Sequence, residues 1–340
     1  MTKHLDELLL EGIQTWASIG QDHVLLFRRE QLSAALKFVE STQEAKYIEN
    51  ELRRNFKDPN WAGNAAVKEN VFQLLGEAQF WLLASEKGVP LERIPDGSSK
   101  GKTPDFRLKS ENPQAPCFEV KTFSVVGGTE AIKQMDEDRF EGALNIHQLV
   151  ASGKKVAMGG QIISPHGNVP QSKVQTTMCL NLIKKVENNI KEDQYTTAPT
   201  FLVANLLLID SYYTGNMELR PLVTSWPQDY SEHTGVLWTV GFGQLDQEIR
   251  GEPHFEGDTN IEGVLDRQGV LVNPQFDSVA GVLYILHPLK EAPRLYGLWK
   301  GARFEEWRQT MPELYGILGK LVGSNWNDEK DSNGVNLTRP

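Results

Sequence analysis

TPDFRLKSENPQAPCFEVKTFS, residues 103–124, contains two short runs in which apolar and polar side chains alternate, residues 104–108 and 117–123. The segment between the two runs is rich in residues that favour turns: Ser110, Asn112, Pro113 and Pro116. Alternation with a period of two, interrupted by turn formers, predicts two β-strands joined by a connecting turn. We therefore expect a strand, a turn and a second strand over this stretch.

The second run brings ionisable residues together on one side of its strand. Successive side chains of a strand point to opposite faces, so Glu119 and Lys121 share one face and Val120 points to the other. Asp105 stands near the start of the partner strand, directly after a proline. Two carboxylates and one ammonium group are thus predicted to meet at one end of the hairpin.

This grouping suits a particular reaction. Two carboxylates and a backbone carbonyl bind a hard divalent cation such as Mg²⁺. A bound cation of this kind makes hydroxide accessible near neutral pH. A neighbouring lysine can hold the attacking water or stabilise charge on a phosphate. The combination predicts in-line hydrolysis of a phosphodiester bond.

Pro104-Asp105, followed by Glu119-Val120-Lys121 on the next strand, resembles the PD-(D/E)xK nuclease superfamily, which has the restriction-endonuclease-like fold. The resemblance implies that Asp105 and Glu119 are metal ligands and that the Val120 carbonyl is a further ligand. It implies that Lys121 positions the attacking water, so that Asp105, Glu119 and Lys121 form the catalytic set. Mg²⁺ is the implied cofactor, and Mn²⁺ is expected to substitute for it.

Many members of that superfamily add a glutamate on the helix that precedes the first strand. Residues 65–87 carry an apolar stripe at helical spacing, and Gly88 is a suitable end for that helix. Glu77 lies on this helix, and the resemblance implies that it is another metal ligand. The alternative is an ordinary surface glutamate. The resemblance covers residues 67–123 well and the remaining chain weakly.

Other interpretations of the same residues predict different structures. If the motif arose by chance in an acidic structural or interaction protein, Asp105 is a turn residue. Glu119 and Lys121 are then an ion pair on an edge strand that faces bulk solvent, far from Asp105. A second alternative is a catalytically silent nucleic-acid-binding or regulatory module on the same fold. A third is an RNase that shares the site.

Composition limits the class of protein. The chain has 340 residues, of which 39% are hydrophobic and 24% charged, as expected for one large or two ordinary globular domains. Its net charge of −10 argues against binding nucleic acid mainly through bulk charge. A nuclease of this charge is expected to use a protein partner, a homodimer cleft or a small basic channel.

Two further features bear on location. The chain has two cysteines, Cys117 and Cys179, without the spacing of a disulfide framework or a metal site. This fits the reducing cytoplasm, and Cys117 is expected to pack inside its strand as a small apolar residue. The longest apolar run, residues 201–209, is too short to span a membrane. We predict a cytoplasmic protein without a membrane segment.

The predicted fold class is α/β: a restriction-endonuclease-like mixed β-sheet flanked by helices, with an N-terminal helical extension. Residues 1–60 form that extension or a dimerisation arm, although simple packing on the core is the alternative. Residues 61–300 form the nuclease-like domain with insertions, and its core is residues 65–210. Residues 301–340 are a C-terminal helix and a polar tail.

Within this plan, the first strand is predicted at residues 89–95, and a crossover helix at 172–192 leads to a buried strand at 200–210. Beyond it we predict strands at 236–240, 279–286 and 296–299, a helix at 305–321, and disorder from residue 325. An insertion with a helix at 130–152 and a strand at 155–163 separates the hairpin from the crossover helix.

Four polar residues near the predicted site are candidates for weak contacts with a substrate backbone: Lys100, Lys102, Lys173 and Gln175. The first two lie in the turn before Asp105, and the others begin the crossover helix. No helix-turn-helix or zinc-finger pattern occurs, so sequence specificity is not predicted. The sequence predicts a divalent-metal-dependent endonuclease that prefers DNA to RNA. The resemblance implies a role in restriction, antiviral defence or repair.

Overall fold

The computed structural model describes residues 3–17, 29–58, 61, 64–95, 103–123, 142, 144–154, 174–195, 198–207, 222–225, 230–251, 260–288 and 291–332. The chain divides into two compact units. The first comprises Met1–Leu82 and Ser124–Gly167, and the second comprises Leu83–Phe123 and Asn168–Pro340. The domain boundaries at residues 60 and 300 stay predictions.

The first unit is helical in the part that the structure describes. Its elements are α1 (Leu5–Ala17), α2 (Arg29–Ser41), a single turn of 3₁₀ helix (Gln43–Ala45), α3 (Lys46–Asn55) and most of α4 (Ala65–Glu86); residues 144–151 are also helical. Apolar residues at helical spacing are buried: Leu5, Leu9, Ile13, Leu32, Leu36, Val39, Ile48 and Leu52. The helices predicted over residues 1–60 are confirmed.

Helix α4 matches the prediction for residues 65–87 almost to the residue. It ends at Glu86, and Gly88 follows with a φ of 66°. Glycine adopts this left-handed conformation without strain and is the usual residue just beyond a helix end. The backbone N–H of Val89 then donates to the Ala84 carbonyl, which turns the chain into the first strand of the second unit.

The second unit is built on a mixed sheet. The strands that the structure describes are β1 (Leu91–Arg93), β2 (Phe106–Leu108), β3 (Cys117–Thr122), β4 (Thr200–Asn205), β5 (Leu222–Ser225), β6 (Tyr230–His233), β7 (Glu248–Arg250), β8 (Ile261–Val264), β9 (Val279–Leu286), β10 (Arg294–Leu298) and β11 (Trp326–Asn327). Seven of them form one sheet in the order β1-β2-β3-β4-β9-β10-β11. The pairs β5–β6 and β7–β8 form separate hairpins.

Strand β3 lies inside this sheet. It runs antiparallel to β2, with Phe106 opposite Phe118, and parallel to β4, with Glu119 opposite Leu202. Strand β1 is antiparallel to β2, and β9 is parallel to β4. The predicted strand hairpin is therefore confirmed, and the coarse class of a mixed α/β sheet flanked by helices is confirmed with it.

Helices cover both faces of the sheet: α5 (Val174–Asn189), α6 (Val236–Phe242), α7 (Gly301–Thr310) and α8 (Pro312–Val322). On one face the Phe201 ring lies 5.7 Å from the Trp307 ring of α7. On the other face the Lys185 ammonium of α5 lies 6.0 Å from the centre of the Phe123 ring. Phe123 continues the alternation of Glu119 and Lys121, so α5 packs on the face that carries those two residues.

Two predictions beyond residue 210 were wrong. Residues 236–240 form part of helix α6 rather than a strand, and all seven residues of that helix are buried. A short apolar run without polar positions does not distinguish a buried strand from a buried helix. The predicted helix at 305–321 is two helices, because Pro312 has no backbone N–H to continue the first and instead begins the second.

The polar tail also differs from its prediction. Residues 326–327 pair with β10 in parallel, and the Tyr296 hydroxyl donates to Asn327 Oδ1 at 2.8 Å. Expected disorder from residue 325 is therefore wrong for residues 325–332, and 333–340 lie outside the described residues. The strand predicted at 155–163 and the first part of the helix predicted at 130–152 also lie outside them. In the described residues, no helix is both long enough and apolar enough to cross a membrane.

Candidate functional site

The site begins where strand β2 stops pairing with β3. The pairing covers Phe106 with Phe118 and Arg107 with Cys117. Two positions further along β3, a side chain takes the place of the backbone: the Val120 N–H donates to Asp105 Oδ2 at 2.8 Å. The N–H and C=O groups of one strand residue point to the same side, so the Val120 carbonyl also points towards Asp105.

Glu119 and Lys121 contact each other on the face that α5 covers. The Lys121 ammonium forms an ion pair with Oε1 of Glu119. The Glu119 residue is 1% exposed, whereas the Lys121 side chain is 25% exposed. Glu119 Oε2 is buried and has no hydrogen-bond partner among the described residues. A buried carboxylate oxygen in that state is rare in proteins and suits a ligand-binding role.

These positions contradict one alternative interpretation. A chance motif on an edge strand predicts that Glu119 faces bulk solvent, far from Asp105. Strand β3 instead has neighbours on both sides, and Glu119 is buried. Asp105 is hydrogen-bonded to the residue that follows Glu119. The two carboxylates therefore belong to one local structure.

Tyr195 is a buried tyrosine whose pKa is affected by both carboxylates. Tyr195 is 3% exposed, and its hydroxyl has no hydrogen-bond partner among the residues that the structure describes. Burial raises the pKa of its phenol well above the usual range, and the negative charges of Glu119 and Asp105 raise it further. Its hydroxyl therefore stays protonated near neutral pH.

The residue before Tyr195 connects this part of the chain to the segment that carries Asp105. Gln194 ends a single turn of 3₁₀ helix, Glu192–Gln194, and is 4% exposed. Its side-chain Nε2 donates to the Thr103 carbonyl at 3.1 Å. Because Thr103 is two residues before Asp105, this hydrogen bond ties the turn to the segment that carries the first carboxylate. Gln194 and Tyr195 could not be predicted from the sequence, since no motif marks this polar segment between a helix and a strand.

The donor atoms of this site are of the chemical type that binds a divalent cation. The two carboxylates of Asp105 and Glu119 and the Val120 carbonyl are oxygen ligands of the kind that Mg²⁺ and Mn²⁺ prefer. The unpartnered Glu119 oxygen is the observation that most favours a cation here. Among the described residues, no group of three or more His, Cys, Asp or Glu side chains could hold a metal ion. Water or substrate oxygens would therefore complete the coordination, as is usual for Mg²⁺.

Glu77 belongs to the first unit. It is 5% exposed, and its Oε1 lies 3.5 Å from Gln73 Nε2 one helical turn away. The alternative of an ordinary surface glutamate is therefore wrong. Its role as a metal ligand stays a prediction.

The predicted substrate contacts have different outcomes. Lys100, Lys102 and Lys173 lie outside the described residues. Gln175 is 7% exposed at the start of α5, and its Nε2 lies 3.0 Å from His233 Nε2. Its backbone N–H donates to Glu262 Oε2 at 2.7 Å. The side chain thus lies in a buried polar group, and its contact with a substrate stays a prediction.

A second polar pair lies at the carboxyl ends of the parallel strands. Asn205 of β4 is in register with Thr122 of β3, and both Asn205 and His287 are fully buried. Asn205 Oδ1 accepts from the Leu207 N–H at 2.9 Å and lies 2.7 Å from His287 Nε2. An asparagine inside the apolar run of residues 200–207 was the sequence signal for this pair.

Comparison with known proteins leaves the chain without an assigned relative. No protein-family model matches it, and no curated protein or solved structure matches it significantly.

Proposed function

We propose that this chain is a divalent-metal-dependent nuclease that hydrolyses phosphodiester bonds, with DNA as its preferred substrate and an endonucleolytic mode of cutting. The observation that carries the proposal is the state of Glu119. One oxygen of this buried carboxylate contacts Lys121, the other has no partner among the described residues, and the next residue holds Asp105.

The order of elements supports a restriction-endonuclease-like fold. Helix α4 precedes the antiparallel strands β1, β2 and β3, and helix α5 then leads to β4, which runs parallel to β3. This is the sequence of helix, hairpin, crossover helix and buried strand that the resemblance implies. The proposed ligand residues lie on the hairpin within that sequence.

Each residue of the proposed site has a task. Asp105, Glu119 and the Val120 carbonyl would hold Mg²⁺ or Mn²⁺, and the hydrogen bond from the Val120 N–H fixes the Asp105 carboxylate. The bound cation supplies a more acidic water and neutralises charge on the phosphate. The Lys121 side chain contacts the buried Glu119 carboxylate and is itself 25% exposed to solvent. From this position its ammonium can orient the attacking water.

Contact with the substrate needs local positive charge. The net charge of −10 repels a polyanion at long range. Lys100, Lys102 and Lys173 are the proposed local contacts. A homodimer or a protein partner would supply further basic surface. The proposed nuclease would act in the cytoplasm, in restriction, antiviral defence or repair.

A cleavage assay tests the proposal. Wild-type protein, Asp105→Ala and Lys121→Ala are incubated with supercoiled plasmid, linear duplex DNA, single-stranded DNA and RNA. Each reaction contains Mg²⁺, Mn²⁺ or a chelator. We expect cation-dependent nicking of plasmid that both substitutions abolish. Lys109→Ala is the matched control, because Lys109 is an exposed lysine just beyond β2.

The outcomes separate the alternatives. Preferred cutting of RNA would assign an RNase. No cutting by a folded protein that binds Mn²⁺ in calorimetry would favour a silent module or a missing activator. No cutting and no cation binding would overturn the proposed function.

A further inference from the structure

The face of β3 that carries Glu119 and Lys121 continues one residue beyond the strand. The Cys117 N–H donates to the Pro199 carbonyl and the Phe123 N–H donates to the Asn205 carbonyl, both at 2.9 Å. The backbone thus keeps its period of two from residue 117 to residue 123, and side chains an even number of residues apart share a face. The Phe123 ring therefore lies on the same face as the proposed site.

A second lysine contacts this face. The ammonium of Lys185 lies 6.0 Å from the centre of the Phe123 ring, which is 2% exposed. The face of an aromatic ring attracts a cation, and the apolar stem of a lysine packs well beside a ring. Residues two apart on a strand are separated by about 6.6 Å. Lys185 is thus held at the end of β3, one strand repeat beyond Lys121.

Helix α5 fixes the position of Lys185. Its neighbours Leu182 and Val186 are fully buried, whereas Lys185 itself is partly exposed. Beyond the end of this helix, Gln194 Nε2 donates to the Thr103 carbonyl at 3.1 Å. This bond ties the chain that follows α5 to the segment that carries Asp105. The lysine therefore stands on a rigid element that is connected to the site at both ends of β3's partner hairpin segment.

The charges at this place suit a polyanion. The chain as a whole carries a net charge of −10, so a nucleic acid needs local positive charge to approach the site. The charge of Lys121 is compensated by Glu119. Lys185 adds an ammonium at the same end of the strand. Phosphates of one DNA strand follow each other at about 3.4 Å along the helix axis, so a neighbouring phosphate can reach it.

We propose that Lys185 binds a backbone phosphate of the substrate, next to the phosphate that the site attacks. This inference rests on the proposed function. Phe123 keeps the ammonium at the end of β3 and prevents it from ranging through solvent. An ammonium carries three N–H donors, so it can lie against the ring and contact a phosphate at the same time.

The salt dependence of DNA binding tests this role. Binding of a labelled duplex is followed by fluorescence anisotropy over a range of KCl concentrations, with Ca²⁺ present because it takes the same oxygen ligands as Mg²⁺. Each phosphate contact contributes about 0.9 to the slope of log affinity against log salt concentration. Lys185→Met keeps the apolar stem beside Phe123 and removes the charge. We expect its slope to be shallower by about 0.9, with a lower affinity at low salt.

Two further variants make the comparison specific. Lys184→Met is the matched control, because Lys184 is exposed and lies on the same helix, about 100° around its axis from Lys185. It should retain the wild-type slope. Lys185→Arg keeps the positive charge and should also retain that slope. Thermal unfolding of each variant is measured alongside, since a lysine that only packs on Phe123 would lower the unfolding midpoint and leave DNA binding unchanged.

The failures are distinguishable. If wild type binds the duplex and Lys185→Met has the same slope, the role of Lys185 is overturned and the proposed function stands. The same conclusion follows if Lys184→Met makes the slope equally shallow. If RNA is the polymer that wild type binds, the comparison is made with RNA. If wild type neither binds nor cuts DNA or RNA, the proposed function falls and the role of Lys185 falls with it.

Discussion

The Lys121 ammonium contacts one oxygen of Glu119 within an internal strand, and the other oxygen is buried without a hydrogen-bond partner in the part of the chain that the structure describes. An ion pair in this position differs from a surface salt bridge. Removal of the Glu119 carboxylate from water raises the free energy of the folded state unless a nearby positive charge compensates it. Lys121 supplies that compensation.

Removal of the lysine should therefore destabilise the protein. We expect Lys121→Met to lower the free energy of unfolding by about 3 kcal/mol, the lower end of the range for a buried pair, since the Lys121 side chain is 25% exposed. Urea unfolding at pH 7 in chelator measures the change. Addition of Mg²⁺ should recover part of the loss.

A lysine outside the site provides the comparison for this experiment. Lys109→Met changes an exposed lysine beyond the end of β2 and should alter stability by no more than about 0.5 kcal/mol. Equal effects of the two substitutions would contradict the idea that Lys121 compensates a buried charge.

The hairpin and its carboxylates could be predicted because the information is local. Alternation over residues 117–123 sets the faces of β3, and the proline before Asp105 marks the beginning of its partner. Tyr195 could not be predicted in the same way. Its place depends on the hydrogen bond from Gln194 to Thr103, which joins residues 91 positions apart. Polar residues between two elements carry no periodic signal of such a contact.

The error at residues 236–240 has a related cause. Helix α6 is buried on every side, so it lacks the polar face that reveals helical periodicity. Gly241 and Gly243 at its end accept hydrogen bonds from Leu271 and Gly269 at 2.8 Å each. Close approach of two backbones, rather than local preference, determines where this helix lies.

Glu49 should make the stability of the protein depend on pH. Burial raises its pKa, but hydrogen bonds from Lys46 at 2.6 Å and Arg53 at 2.8 Å outweigh this and lower the pKa overall. A carboxylate with a lowered pKa stabilises the fold above its unfolded pKa of about 4.3, and the contribution is lost as pH falls through the folded pKa. Glu49→Gln should cost about 1 to 2 kcal/mol at pH 7.

Chemical denaturation at pH 7 and at pH 3 measures this difference. The gap between wild type and Glu49→Gln should shrink towards zero at the lower pH. Glu51→Gln is the matched control, because Glu51 pairs with an Arg54 side chain that is 69% exposed, and such surface pairs contribute little. A gap for Glu49→Gln that does not change with pH would contradict the assignment.

Both cysteines should be inert in the folded protein. Burial raises the pKa of Cys117 to about 11, and burial raises the pKa of Cys179 still further. Only the thiolate attacks disulfide reagents, and very little forms at pH 8. We expect no reaction with a coloured aromatic disulfide in native buffer and reaction of both thiols in concentrated urea. Rapid modification of one thiol in native buffer would show that its strand or helix opens easily.

Gly269 should be irreplaceable for a steric reason. A Cβ atom at this position would lie 2.6 Å from the carbonyl carbon and oxygen of Gly241 and 2.7 Å from the Gly243 nitrogen. Because these are backbone atoms, no side-chain rotation relieves the clash. Gly269→Ala should therefore lower the free energy of unfolding by about 2 kcal/mol, as overpacking of a core does.

The converse change tests whether space alone decides the result. Gly319 lies inside helix α8, and nothing lies within 4 Å of the Cβ that alanine would add. Gly319→Ala should stabilise the protein by about 0.5 to 1 kcal/mol, because alanine reduces the entropy of the unfolded chain and favours the helix. Opposite signs in urea unfolding are the expected result. If Gly269→Ala is neutral, the contact between the α6 end and the Gly269 loop is looser than the distances indicate.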